Sequence, residues 1–282
     1  MIRTHRYRLA LALCWAVSIC FGQNAVAPDG IYRITPVRPI DQLRAEALRA
    51  TPPKEEGKRA PDLVELVKLD SAIKLDIRYA GTNNFLSTPV YTQARAFLQR
   101  PAAEALARAN QKLRPLGYGL IIHDGYRPWY VTKVFWDATP ADKHIFVADP
   151  AEGSKHNRGC AVDLSLYDLK TGKEVAMPSV YDEMTKRAYA DYPGGTDDER
   201  KRRKILRDAM EAEGFVVNPE EWWHFDYKAW REYPILNTPF EIARAWKLDP
   251  STLGLAVAFL ACHDCLRTCE SERTNQWHIR PL

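Results

Sequence analysis

The sequence predicts an α+β fold in which a small antiparallel sheet is flanked by helices around one core. Three observations carry that expectation. Period-two segments and helical segments both occur, they do not alternate in a βαβ rhythm, and a 46% hydrophobic content over 282 residues is enough to bury a sizeable core. Charged residues make up 27% of the chain and its formal net charge is +4. So mild an excess gives no electrostatic footprint for a nucleic-acid partner.

Taken in chain order, Arg3, Arg6 and Arg8 precede the short apolar run LALALCWAVSICF at 9–21. A basic segment followed by a run too short for a membrane span reads as a secretory signal, residues 1–22. The expectation is export, periplasmic or secreted, with no stable membrane span once the signal is removed. A cytoplasmic or N-terminally anchored protein is the alternative. Residues 23–60, with PPKEEGKRA, read as an extended arm or linker, and the compact domain is expected over 61–237. PAAEALARANQKL at 101–113 opens with proline in a first helical turn and keeps Ala105, Leu106, Ala109 and Leu113 on one side. GLIIHDGYRP at 119–128 reads as a buried strand running into a turn. TDDERKRRKILRDAMEAEG at 196–214 has Thr196 or Asp197 to cap a helix, acids in its first turn and Gly214 to end it. WWHFDY at 222–227 is aromatic and β-prone. The remaining 238–282 form an extension with Cys262, Cys265 and Cys269 beside His263, which in an exported chain reads as a disulfide or an unstructured tail rather than a metal site. Cys160 reads as a small buried hydrophobe.

The stretch GSKHNRGCAVDLSLYD at 153–168 carries the chemistry. Val162, Leu164 and Leu166 alternate with Asp163 and Ser165, as in a half-buried strand with Asp163 opposite the apolar row. The Arg158-Gly159 turn can fold His156 back toward Asp163. In EEWWHFDY, Trp222, His224 and Asp226 share one strand face. Glu221, three residues before His224, would point the other way in a regular strand. It joins His224 only if it sits in the turn after Pro219. His156, Asp163 and His224 together make a suitable zinc ligand set with a fourth position for water, and Glu221 would be the general base.

These residues carry a resemblance. Ser154, His156, Gly159, Ala161 and Asp163, followed by Glu221, Trp223 and His224, resemble the signature of zinc D-alanyl-D-alanine dipeptidases, related to D,D-carboxypeptidases and the hedgehog-like metallopeptidase fold. The likeness runs over about residues 62–236 and includes DIRYAGTNNF at 76–85 and DGYRP at 124–128. It implies one zinc ion per chain and a D-amino-acid dipeptide as substrate. It implies that Arg127 stabilises the oxyanion, and that Ser154, Asp182 and Tyr79 bind substrate, with Ser154 and Asp182 at the free amino group. MPSVYDEM departs from the family by replacing a glycine-containing turn before Asp182. The alternatives are a D,D-carboxypeptidase acting on peptidoglycan peptides, which would share the zinc residues but leave the amino end open, and a zinc-binding module without activity. The 57 residues between Asp163 and Glu221, expected to hold two helices, offer material to close that end.

Overall fold

A computed structural model describes residues 30–243. The expected signal and the cysteine-bearing tail lie outside the described residues. A five-stranded sheet of order β2-β4-β5-β7-β6 forms the centre, built from β2 (Lys74–Leu75), β4 (Tyr118–Asp124), β5 (Ala161–Asp168), β6 (Phe215–Asn218) and β7 (Glu221–Tyr227). All pairings are antiparallel except β2 on β4. A second pair joins β1 (Leu63–Glu65) to β3 (Phe97–Gln99). The helices are α1 (Ile40–Arg49), the single-turn α2 (Leu66–Leu69), α3 (Arg100–Leu113), α4 (Trp129–Ala138), α5 (Asp197–Glu211) and the short α6 (Phe240–Ala243). Among the described residues, no helix is long and apolar enough to cross a membrane.

Local rules account for the main elements. Pro101 sits in the first turn of α3, where a missing N–H costs nothing. A full capping box starts α5: the Thr196 hydroxyl accepts from the Glu199 N–H, and the Glu199 carboxylate accepts from the Thr196 N–H. Leu106 of α3 and Leu206 of α5 join Val162, Leu164 and Leu166 of β5 in one buried cluster. The alternation read from the sequence is present, but the strand is not half-exposed. Asp163 and Ser165 are buried as well: Asp163 lines the site cavity, and Ser165 sits beside Glu174.

Two further expectations need correction. The arm is not simply extended, because α1 packs against α4 with Leu43 and Ala47 fully buried, and the Val37 N–H donates to the Ala138 carbonyl at 2.9 Å. Between Asp163 and Glu221 there is one α-helix, α5, and a 3₁₀ turn at Lys186–Ala188, where two helices were expected. The rest is a loop that crosses the site before α5 begins.

Candidate active site

The site is assembled where β5 and β7 pair. Asp163 and His224 are direct cross-strand partners, so the ladder sets their separation. His156 arrives from a 3₁₀ turn at His156–Arg158, which ends on Gly159 at φ 66°. That left-handed conformation suits glycine, and a Cβ there would also meet the Leu63 side chain at 2.5 Å. The Arg158-Gly159 turn therefore does return His156 to Asp163.

Three ligand atoms converge. His156 Nε2 lies 3.1 Å from His224 Nδ1 and 3.3 Å from Asp163 Oδ1, and His224 Nδ1 lies 3.0 Å from the same oxygen. Those spacings match the edges of a tetrahedron built on bonds of about 2.0–2.1 Å, roughly 3.3 Å. The backing groups fix which nitrogen is free. His156 Nδ1 is 2.8 Å from the Gly125 carbonyl and His224 Nε2 is 2.9 Å from Asp226 Oδ1, so each is placed to donate there and leave its other nitrogen facing inward for a metal. Lys155 in turn pairs with the other Asp226 oxygen at 2.9 Å. Asp163 Oδ1 is buried and accepts no hydrogen bond. An orphaned carboxylate oxygen between two inward imidazole nitrogens is what a cation-holding site needs, and these residues fit a zinc ion.

The electrostatics agree. Burial opposes a charge on His224, yet Asp226 and Asp163 outweigh it and raise the imidazole pKa to about 10. Burial likewise opposes ionisation of Asp163, but the two imidazoles hold its carboxyl well below the ordinary range. The pocket stabilises positive charge where the three atoms meet.

Glu221 reaches this centre by a route the sequence reading did not foresee. It is the first residue of β7, and the β6–β7 register slips between Val217 and Asn218, pairing Asn218 with Glu221. That bulge re-aims the side chain. Glu221 Oε2 comes within 3.7 Å of His224 Nδ1 and accepts from Asn218 Nδ2 at 2.9 Å. Burial is the main cause that lifts its pKa to about 7, with His224 opposing and Asp163 adding.

Arg127 is buried, and its Nε and Nη2 donate to Asp124 Oδ2 at 2.9 and 2.8 Å. It lies over the Phe135 ring at 4.7 Å and lines the same cavity, of about 230 Å³, as the metal-facing residues. Ser154 also lines it, while its hydroxyl accepts from the His156 N–H at 3.2 Å and so braces the ligand turn. Tyr79 and Asp182 meet directly: the Tyr79 hydroxyl donates to Asp182 Oδ1 at 2.8 Å. Asp182 Oδ2 is buried without a partner. Asp182 has φ 60°, so it takes up the left-handed turn itself, without glycine. Burial pushes its pKa well above the usual carboxylate range, with the Tyr79 hydrogen bond opposing and Asp163 and Glu221 adding. All eight residues expected from the sequence line one cavity. The reading missed Asn218, whose signal was hidden in the bulge, and Tyr181, which stood in plain view beside Asp182.

The comparisons with known proteins agree with this geometry. The peptidase M15 family model, described as D-ala-D-ala dipeptidase, matches residues 59–240. The chain is similar to the D-alanyl-D-alanine dipeptidase of Escherichia coli K12, 34% identical over 179 residues that cover 64% of this chain and 91% of that protein. It is also similar to the proteins of that name from Enterococcus faecalis, 35% identical over 54% of this chain and 85% of the relative, and Enterococcus faecium, 34% identical over 60% and 91%. A solved LdcB LD-carboxypeptidase aligns at 24% identity with a TM-score of 0.31, over 48% of this chain and 62% of that one, too loosely to bear on the site. With its family model matched across most of the described residues, and its candidate ligands and base gathered at one point, this chain belongs to the peptidase M15, D-Ala-D-Ala dipeptidase, family.

Proposed function

We propose that the protein hydrolyses free D-alanyl-D-alanine to two D-alanines at a single zinc ion held by His156, Asp163 and His224. The observation that carries this reading is the unpaired Asp182 oxygen, buried in the cavity that the three ligands share. Burial keeps that acid from ionising alone, so it becomes a carboxylate only beside a cation, and the free ammonium of a dipeptide is one.

Zinc, when bound, supplies a Lewis acid that acidifies water and polarises a carbonyl. The chain's own residues do the rest. Glu221 takes the proton from the attacking water and, with a pKa raised by burial, can return it to the leaving amine. Arg127, anchored on Asp124 through one edge, brings fixed positive charge to the oxygen of the scissile carbonyl as that oxygen becomes anionic. Asp182, held through Oδ1 by Tyr79, presents Oδ2 to the ammonium. Because that end is walled by a buried carboxylate, an acyl group on the amine would both remove its charge and strike the wall.

The test is hydrolysis of D-Ala-D-Ala beside N-acetyl-D-Ala-D-Ala, with chelator and with zinc restored. Cleavage of the free dipeptide alone, lost on chelation and regained with zinc, supports the reading. Equal or faster cleavage of the blocked peptide makes the protein a D,D-carboxypeptidase. On the basic and apolar pattern of residues 3–21 we place the reaction outside the cytoplasm, and an intact N-terminus on cytosolic protein would refute that placement.

A further inference from the structure

We propose that Tyr181 and Tyr79 form a hydroxyl bridge that holds the metal-facing and amine-facing carboxylates at one separation, with Tyr181 as the positioning residue that restricts the site to free dipeptides. The proposal rests on the dipeptidase reading above and adds how selectivity is built.

The geometry repeats itself at the two carboxylates. Asp163 gives Oδ2 to the Tyr181 hydroxyl at 3.0 Å and leaves Oδ1 for the ligand cluster. Asp182 gives Oδ1 to the Tyr79 hydroxyl at 2.8 Å and leaves Oδ2 unpaired. The two hydroxyl oxygens are 3.2 Å apart. Each tyrosine therefore pins one oxygen of one acid and turns the other oxygen toward the cavity. Tyr181 has a single proton and two acceptors, Asp163 and the Tyr79 oxygen, which ties the state of one acid to that of the other.

Neither ring is free to swing. Tyr79 packs on Phe135 with centroids 4.7 Å apart, and Tyr181 packs on Trp223 at 5.4 Å and on His123 at 4.8 Å. Tyr181 directly precedes Asp182 in the loop, so its hydroxyl fastens to β5 the segment that holds Asp182 in a left-handed conformation. The distance from the hydrolytic centre to the amine-binding oxygen is thereby fixed. A substrate with a longer or blocked amino end could fit only by moving Asp182, which the bridge resists.

The experiment compares the full-length wild type with Tyr181→Phe and Tyr79→Phe, each checked for folding by thermal melting. Zinc affinity is read without substrate, by competition with a chromophoric chelator, and selectivity as the ratio of kcat/KM for D-Ala-D-Ala to that for N-acetyl-D-Ala-D-Ala. In Tyr181→Phe, zinc should bind about tenfold more weakly, as on losing a partner behind a ligand. The selectivity ratio should fall as well, through KM of the free dipeptide. In Tyr79→Phe the ratio should fall while zinc affinity is kept, because the Tyr181 proton still serves Asp163. If Tyr181→Phe changes only one of the two quantities, or neither, the bridge is refuted. Should Tyr181→Phe fail to fold, Tyr79→Phe decides, and an unchanged ratio there overturns the proposal. If the wild type cuts neither peptide, the dipeptidase reading fails on its own. Zinc affinities and calorimetric binding of the two peptides would then still decide the bridge.

Discussion

The residues proposed to hold the metal and those proposed to meet the amine share one cavity but are held by different means. Asp163 and His224 face each other across a β5–β7 ladder, with His156 on a tight turn beside them. Their spacing is a property of backbone hydrogen bonds, and shifting it means breaking the sheet. Asp182 instead stands in the loop between β5 and α5, in a positive-φ conformation that few residues besides glycine, asparagine and aspartate adopt, and Tyr79 holds its carboxylate. The difference teaches that the proposed chemistry rests on a backbone ladder, and the proposed recognition on a loop that side-chain hydrogen bonds hold in place. The two should then be separable by mutation.

The largest effects belong to the ladder. Asp163→Asn or His224→Ala should lower zinc affinity by at least about a hundredfold, beyond the roughly 10–100-fold cost of losing a group behind a ligand. Activity should disappear while the thermal transition survives, and retained zinc in either variant would break the assigned ligand set. Next, Glu221→Gln should lower kcat by about 10²–10⁴ and leave zinc affinity nearly unchanged. The base works only when ionised, so kcat/KM should fall as pH drops through its pKa. That value is about 7 without a cation, and a cation nearby pulls it down, so the acidic limb should lie at or below about 7. A limb well above that would assign the base elsewhere.

How much was legible follows the same division. The ligand turn, the alternation of β5 and the shared face of His224 and Asp226 are short-range patterns, and the sequence displays them directly. The meeting of Asp163 with His224 is long-range: the ligand chemistry of the two residues suggested it, the motif resemblance strengthened it, and only the ladder shows it. Glu221 shows where period-two reasoning stops: a bulge, invisible in residue pattern, brings residues i and i+3 to one side. Tyr181 was missed for another reason. An aromatic residue in a loop reads as packing, and its hydroxyl acquires a role only when Asp163 and Tyr79, distant in sequence, come within reach. The docked α1 escaped notice because its flanks are rich in proline and charge, although Leu43 and Ala47 sit four apart on one helical face.

A smaller effect, confined to recognition, is expected at the loop. Asp182→Asn removes the charge but keeps the shape. It should raise KM for the free dipeptide about 10–100-fold, the equivalent of one charge-assisted hydrogen bond. Zinc affinity should not change, since Asp182 touches no ligand directly. If zinc affinity fell as far as in the ladder variants, the two halves would not be separable and the comparison would collapse.

The smallest effect sits behind the ladder, in the arm just outside the residues that match the family. Glu55 accepts from Arg158 Nη1 at 2.9 and 2.8 Å and from the Ile235 N–H at 2.9 Å, so it fastens the ligand turn to the segment after β7. Burial would raise the Glu55 pKa, but the Ile235 N–H and Arg158 together lower it. A carboxyl lowered on folding stabilises the protein above its unfolded pKa, about 4.3 for glutamate, and that contribution is lost as pH falls through the folded value. Glu55→Gln should therefore cost about 1–3 kcal/mol at neutral pH, a few degrees in Tm, with the gap to wild type closing on acidification. Arg158 also donates to the Tyr233 carbonyl at 2.7 Å, so the turn keeps one anchor and zinc affinity should change little. A gap that stayed constant down to pH 3 would mean that the charge of Glu55 contributes nothing and that packing alone braces the turn.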